Sequence, residues 1–473
     1  MPRHIANVLA AALCACASPR SHPGSSLEVK ALAGTTLVDG TGAPPVPDAI
    51  VIVRGNHIEC AGTRSACPVP SGAEVSDLRG TWLTPGLVDA HVHFSQTGWA
   101  DGRPDALDAR DRHPYDDVEA ALRARPERFF RSYLCSGVTS VFDVGGFPWT
   151  FDLPERAKRN PLAPGVVAAG PLLSTLDHWL NLPAERQFIY LRDEQSAREG
   201  VHYLAAEHAG AVKVWFIVHE GRPFEEMAAV VHAAGDEARK AGLQLIVHAT
   251  GLREAKEALR AGARLLVHSV GDAPVDDEFL SLARSNKALY CPTLTVRDGY
   301  VRMFRGALDG KPPAIDDPGG CVDAETRARV AETATVGAAH VDRDRFESRA
   351  PRWAAESQTA RENLPRVLAA GIPIVMGTDA GNPLTLHGPS VYVEMEAMQA
   401  AGLTPMQVIV ASTRNGADAM GRRADVGTVE RGKVADLLVL GADPTRDVAA
   451  FRSLRAIVRD GIVHQQAELR AAP

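Results

Sequence analysis

The sequence predicts an α/β protein, a (β/α)₈ TIM barrel carrying a small β-sandwich domain formed from both ends of the chain. Three observations predict it. Apolar strand-like runs alternate with helical stretches through the middle of the chain, short alternating segments divided by turns stand at both ends, and side chains suited to metal chemistry fall at the ends of the strand-like runs. With 473 residues, 45% of them hydrophobic, the chain can bury a large core.

Residues 1–26 read as a signal or lipoprotein segment and its tether. A weakly basic start, Met1-Pro-Arg-His4, precedes a short apolar run, and Leu13-Cys-Ala-Cys16 resembles the box after which exported lipoproteins are lipidated on cysteine, here Cys16. Ser18 to Ser26, rich in Pro, Ser and Gly, has no core of its own. The expectation is an exported protein, periplasmic or anchored to the outer membrane, with a cytoplasmic enzyme as the alternative. No later run approaches the roughly 20 apolar residues that cross a bilayer.

Residues 27–82 supply the first part of the sandwich, in Lys30–Val38, Ala49–Val53 and His57–Ala61, with Asp39-Gly40 and Gly55-Asn56 as turns. Residues 427–473 supply the second, through Gly427–Leu440 and Leu454–Gly461. Neither part offers much core alone, so the two are expected to share a sheet.

Residues 83–426 are expected to form the barrel. Its strands are read at Gly86–Phe94, Val138–Val144, Gly165–Leu173, Ala211–Val218, Leu243–Ala249, Ala263–Ser269, Ala288–Thr293 and Ile372–Thr378, with helices such as Phe224–Ala241, Val275–Ser285 and Trp353–Ala370 between them. The segment 297–352 breaks the rhythm. It reads as a peripheral helix with a flexible loop or as a lid, since it leaves a strand end on the face where barrels carry their active sites.

Seven cysteines are too few to staple a chain this long. Cys60 and Cys67 flank a turn and are placed to bridge in an exported protein, whereas Cys135 and Cys291 sit in apolar runs and read as buried thiols. No CxxC pair points to a zinc knuckle or to thioredoxin chemistry. The formal charge is -7 and no Lys/Arg block is present, which argues against nucleic acid as a partner.

The chemistry centres on His91-Val92-His93. Side chains alternate on an extended segment, so both imidazoles point one way and Val92 the other. Lys213, His248, His268 and Asp379, at or near the ends of the fourth, fifth, sixth and eighth strands, are the distant partners. Each has a structural alternative: a core histidine bonded to a carbonyl, a salt-bridged barrel lysine, or an aspartate capping a helix. His178, His387, Tyr115, His219 and Arg297 are weaker candidates for substrate contact.

With Trp82-Leu-Thr-Pro-Gly-Leu-Val-Asp-Ala-His-Val-His93 on the first strand and Ile374-Val-Met-Gly-Thr-Asp-Ala-Gly381 on the eighth, the chain resembles the amidohydrolase superfamily over nearly its whole mature length. The resemblance implies that His91 and His93 bind a buried metal, that Asp379 touches this metal and the catalytic water, and that His248 and His268 bind a more exposed metal. It implies that Lys213 is carboxylated and bridges the two. Imidazoles and carboxylates suit zinc, so two divalent cations, most simply Zn, are expected. An ammonium beside two cations is repelled, whereas a carbamate made with carbon dioxide is an anion.

Lys213 with Gly377-Thr-Asp-Ala-Gly381, Leu386-His-Gly388 and Glu394 most resembles the imidazolonepropionase-like and Xaa-Pro or Xaa-Arg dipeptidase branch. Thr250 stands where that branch often has an aromatic residue, and Ser269 where glycine is frequent. The expected activity is hydrolysis of a carbon–nitrogen bond in a small amide or short peptide, a dipeptidase included. A binuclear metal-activated hydroxide attacks, Asp379 shuttles the proton, and His178 assists the oxyanion. The alternatives are a cyclic amide, lactone or phosphotriester hydrolase, and a non-catalytic lipid-anchored binding protein. Oligomerisation is compatible with either.

Overall fold

The computed structural model of the protein describes residues 28–177, 187–337 and 340–471. The segment containing Cys16, and His178, lie outside the described residues.

The described chain opens with β1 (Val29–Leu37), β2 (Val46–Arg54), β3 (His57–Thr63), β4 (Glu74–Asp77) and β5 (Trp82–Pro85). The central strands follow as β6 (Leu87–Val92), β7 (Val138–Asp143), β8 (Gly165–Ala168), β9 (Leu172–Ser174), β10 (Phe188–Tyr190), β11 (Val212–Trp215), β12 (Leu245–His248), β13 (Leu265–Val267) and β14 (Leu289–Cys291). The last strands are β15 (Leu437–Leu440), β16 (Leu454–Arg459) and β17 (Ile462–Gln465).

The two ends of the chain share one eight-stranded sheet, in the order β17-β16-β15-β5-β1-β2-β3 with β4 beside β1. The sheet curls until His57, at the start of β3, bridges Val434 just before β15. Leu32, Val51, Val53, Leu83, Leu437 and Val458, drawn from strands of both ends, meet in one apolar cluster. Neither end could bury these side chains alone.

The central strands form the barrel. β6, β7 and β8 pair in parallel, as do β9, β11, β12, β13 and β14, and β10 adds to the outer edge of β9. The third expected strand is broken into β8 and β9. Gly170 takes φ +72°, Pro171 has no amide to donate, and the Phe151 ring sits where a Cβ on residue 170 would go. The Gly210 amide bonds the Ala168 carbonyl and carries the ladder past the break.

The eighth expected strand closes the ring without becoming a regular strand. Ile374 bridges Tyr290 and Ala380 bridges Val92, while Met376 donates to the Ala411 carbonyl and Thr378 to the Asp89 side chain. Its hydrogen bonds are divided among several neighbours, so no ladder runs its length. Val88, Phe142, Ile246, Leu265, Leu289 and Val375, from six positions around the ring, fill the interior as one cluster.

Helices cover the outside where the periodicity predicts them. Phe224–Lys240 follows β11, and Asp277–Ser285 follows β13 with Asp276 accepting from the Phe279 amide as its N-cap. The segment after β14 carries more helix than expected, with an irregular stretch at 311–323. Helices Val296–Asp309, Ala324–Val336 and Arg343–Ala369 form a cap, and Met303, Val330 and Phe346 from it pack with Trp99, Leu107 and Leu386 in a separate apolar cluster. The third helix begins ten residues before the expected Trp353, because Asp342 caps it by accepting from the Arg345 amide.

Cys135 corrects the expectation of a free thiol. It is disulfide-bonded to Cys321, 186 residues away, and ties the helix before β7 to the cap. Cys60 and Cys67 are bridged, and Cys291 is a free buried thiol. Arg128 pairs with Glu325 at 2.8 Å across the same seam, and Arg452, between β15 and β16, pairs with Asp316 at 2.8 Å and ties the cap to the C-terminal segment.

Replacing Cys135 and Cys321 together by serine is expected to lower unfolding stability by about 2–4 kcal/mol, since the bond closes a long loop in the unfolded chain. Urea unfolding of the double variant against wild type measures it. Equal midpoints, or two free thiols at these positions in the native protein, would remove the tie.

Candidate metal centre

Asp379 organises the barrel mouth. Its backbone has φ +62°, and the turn it occupies is too crowded for larger neighbours. A Cβ at Gly377 would lie 2.7 Å from the His91 Cβ, and one at Gly381 would lie 2.6 Å from the His93 carbonyl oxygen. Asp379 Oδ1 is 3.3 Å from His91 Nε2 and 3.0 Å from His93 Nε2, and Oδ2 is 4.0 Å from His268 Nε2. The rings of His91 and His268 are 5.0 Å apart and those of His248 and His268 are 4.4 Å apart. Lys213 and His248 line the same cavity.

The donors fit a divalent cation better than they fit each other. His91, His268 and Asp379 offer ligand atoms all within 4.8 Å of one another. Both His91 nitrogens are buried without a hydrogen-bond partner among the described residues, and a cation would relieve this cost at Nε2, the atom that faces Asp379. His93 Nδ1–H donates to the Gly145 carbonyl at 2.6 Å, so in the neutral ring Nε2 turns a lone pair toward the Asp379 carboxylate. A positive centre between them converts that repulsion into attraction.

Burial, followed by the Lys213 charge, holds His91 and His248 well below the ordinary imidazole range. His268 is lowered in the same direction by burial and then by His248 and Lys213. Burial pulls the Lys213 ammonium down to about 7, against the attraction of Asp379. A buried lysine that sheds its proton near neutrality is a nucleophilic amine.

Three buried carboxylates fix the turns from which these side chains project. Asp89 accepts from the Thr378 amide at 2.9 Å and its hydroxyl at 2.6 Å, next to Asp379. Asp143 accepts from the Phe94 and Gly145 amides at 3.0 and 3.1 Å, on either side of the His93 contact. Glu394 accepts from the Leu294 and Thr295 amides at 2.7 and 3.0 Å, beside the Thr293 hydroxyl that contacts His268 Nδ1 at 2.7 Å. Burial pushes Asp89 and Glu394 up to about 7 and Asp143 up to about 6. Sequence reasoning named Glu394 only as part of a family pattern and gave none of the three this bracing role. The available signal was a lone acid inside an apolar run, as in Leu87-Val-Asp-Ala90, Val141-Phe-Asp-Val144 and Val391-Tyr-Val-Glu-Met395.

The donors sit at the base of a cavity of about 440 Å³. Leu172, Phe188 and Trp215 line it from the barrel, and Arg297, Tyr300 and Trp353 from the cap. Arg297 pairs with Glu356 at 2.8 Å, which also holds Arg352 at 2.7 Å. Arg103, missed in the sequence, also lines the cavity and is held by Asp105 and Asn382.

Three weaker candidates lie off the cavity wall. Tyr115 is buried with its hydroxyl 3.4 Å from Gln187 Oε1, and His219 Nε2 is 3.4 Å from the Thr175 carbonyl. His387 is buried and stacked on Phe129 at 3.8 Å, and its Nε2–H donates to the His93 carbonyl at 3.1 Å. It supports the His93 backbone from behind. Burial pulls its imidazole down to about 3.

Residues 82–463 match the amidohydrolase family, and the chain belongs to that family. An imidazolonepropionase of Chromobacterium violaceum is 26% identical over 415 residues, which cover 82% of this chain and 84% of that protein. A 5-methylthioadenosine/S-adenosylhomocysteine deaminase of Symbiobacterium thermophilum is 24% identical over 464 residues, 92% of each chain. Among solved structures, an Xaa-Pro dipeptidase with bound methionine superposes with a TM-score of 0.70 at 18% identity, covering 93% of this chain and 100% of that one. The protein is therefore an amidohydrolase-family hydrolase.

Asp89→Ala is expected to cost about 3 kcal/mol, because it leaves the buried Thr378 amide and hydroxyl without an acceptor. Asp89→Asn keeps one acceptor oxygen and is expected to cost less than half of that. Thermal and urea unfolding of the two variants compare them, and equal losses would place the Asp89 contribution elsewhere.

Proposed function

We propose that the protein hydrolyses a carbon–nitrogen bond in a small amide or short peptide. In this reading His91, His93 and Asp379 would hold one divalent cation, His248 and His268 would hold a second, and Lys213, carboxylated, would serve as a further ligand. The observation that carries it is the Asp379 carboxylate facing the Nε2 atoms of His91, His93 and His268 at 3.0 to 4.0 Å, with both nitrogens of buried His91 unbonded. Nitrogen and oxygen donors of this kind favour zinc. When bound, the cations supply an acidified water and polarise the scissile carbonyl.

The chain's own residues do the rest. The neutral Lys213 amine adds to carbon dioxide: a nitrogen–carbon bond forms, a proton leaves, and a carbamate anion remains. Asp379 accepts a proton as water oxygen bonds to the carbonyl carbon. It then returns that proton to the departing nitrogen, the carbon–nitrogen bond breaks, and a carboxylate and an amine leave. His178, outside the described residues, is assigned to the oxyanion. Phe188 and Trp215 offer an apolar wall for the acyl or side-chain group.

A cyclic amide is the second reading. It is favoured by the similarity to an imidazolonepropionase and by Thr250 on the cavity wall, where a tyrosine hydroxyl for a substrate carboxylate is missing. Metal analysis followed by hydrolysis assays on dipeptides, N-acyl amino acids and cyclic amides tests both. Two cations per chain and turnover of one of these classes are expected. Lys213→Ala is expected to hold one cation or fewer and to lose at least about 100-fold in kcat. A fully loaded protein that cleaves no amide overturns the assignment.

Export and anchoring through Cys16 belong to the same proposal. Two disulfides, Cys60–Cys67 and Cys135–Cys321, support an oxidising compartment. Cell fractionation checks this: wild type is expected with the membranes and Cys16→Ser free of them, and a protein that stays in the cytoplasm refutes it.

A further inference from the structure

His268 reaches the metal centre only by leaving strand geometry. Leu265 and Val267 of β13 face the barrel interior and Leu266 faces the helices, so a continued period of two would turn residue 268 outward. His268 instead has φ +75°, which swings its ring back to the mouth beside His91 and His248. The residue that meets it, Thr293, has φ +44°. A β-branched residue in the left-handed region is a steric outlier, and such backbones persist only where their surroundings hold them, at about 1–3 kcal/mol each.

What holds Thr293 is visible in its next two residues. The amides of Leu294 and Thr295 donate to opposite oxygens of Glu394, at 2.7 and 3.0 Å, and the Thr295 hydroxyl donates to the second at 2.8 Å. Glu394 projects from helix Ser390–Ala400, is fully buried, and has no ion pair among the described residues. Three donors on one carboxylate leave the turn little freedom, and the turn sets the Thr293 hydroxyl 2.7 Å from His268 Nδ1.

We propose that Glu394 is a positioning residue for His268. Acting through the 293–295 turn, it places the Thr293 hydroxyl to accept from His268 Nδ1–H, which fixes the tautomer and tilt that present the Nε2 lone pair to the metal centre. The inference rests on His268 being a metal ligand as proposed above, and it assigns the ring's orientation to a carboxylate that contacts neither His268 nor a metal. Groups that orient a ligating histidine from behind typically change metal affinity 10- to 100-fold when removed.

The test uses the full chain labelled with 15N-histidine, first without metal. His268 is assigned by its loss in His268→Gln. Wild type is expected to show one His268 tautomer with Nδ1 protonated, and Glu394→Gln and Thr293→Val, which keep side-chain volume, are expected to show both tautomers. Thr293→Ser, which retains the hydroxyl, is expected to restore the single form. Zinc titration against a chromogenic chelator is the second readout: Glu394→Gln and Thr293→Val are expected to weaken one of two zinc equivalents about 10- to 100-fold. A wild-type ring already mixed between tautomers, or variants with the wild-type tautomer, overturns the inference whatever the zinc result. A single wild-type tautomer, lost in both variants, in a protein that takes up no zinc supports the positioning role and overturns the binuclear reading instead.

Discussion

Three imidazoles crowd one carboxylate, and the barrel mouth is built around that contact. His91, His93 and His268 aim Nε2 atoms at the two oxygens of Asp379, and the His91 ring has no other polar contact. A fold that keeps this arrangement must hold each donor from behind. It does so with left-handed backbone at His268, Thr293 and Asp379 and with buried carboxylates that gather the neighbouring amides.

The second constraint is enclosure. The strand ends alone would form an open dish. The cap built from the chain after β14 raises a wall of Arg297, Tyr300 and Trp353 opposite Phe188 and Trp215, and a disulfide and the Arg128–Glu325 ion pair fasten that cap to the barrel. The cavity combines apolar faces with an ionic cluster of Arg297, Arg352 and Glu356 on the cap side.

Much of the site was legible because its signals are local. His91 and His93 share a face by the period of two, and the spacing of strand-like runs placed Lys213, His248 and Asp379 at strand ends. His268 was identified by type and place although its aim depends on a backbone angle that no pattern reveals. Strand-level misses have the same origin. Ile372–Thr378 has the composition of a strand, but its hydrogen bonds are split among partners such as Tyr290, Ala90, Asp89 and Ala411, which only the closed ring brings near. His387 resembles a cavity histidine in sequence, and only the packing of Phe129 against it assigns it to the core.

The sequence by itself determined the fold class and the pairing of the chain ends into one sheet, and it named the side chains that meet at the barrel mouth, because periodicity, turn residues and side-chain chemistry act over a few residues. Only the tertiary structure decided that Cys135 joins Cys321, that helices Val296–Asp309, Ala324–Val336 and Arg343–Ala369 pack as a cap, and that Asp89, Asp143 and Glu394 brace the site. Those contacts link residues separated by 49 to 289 positions. Their partners are chosen by how the closed barrel packs, which no short stretch of chain encodes.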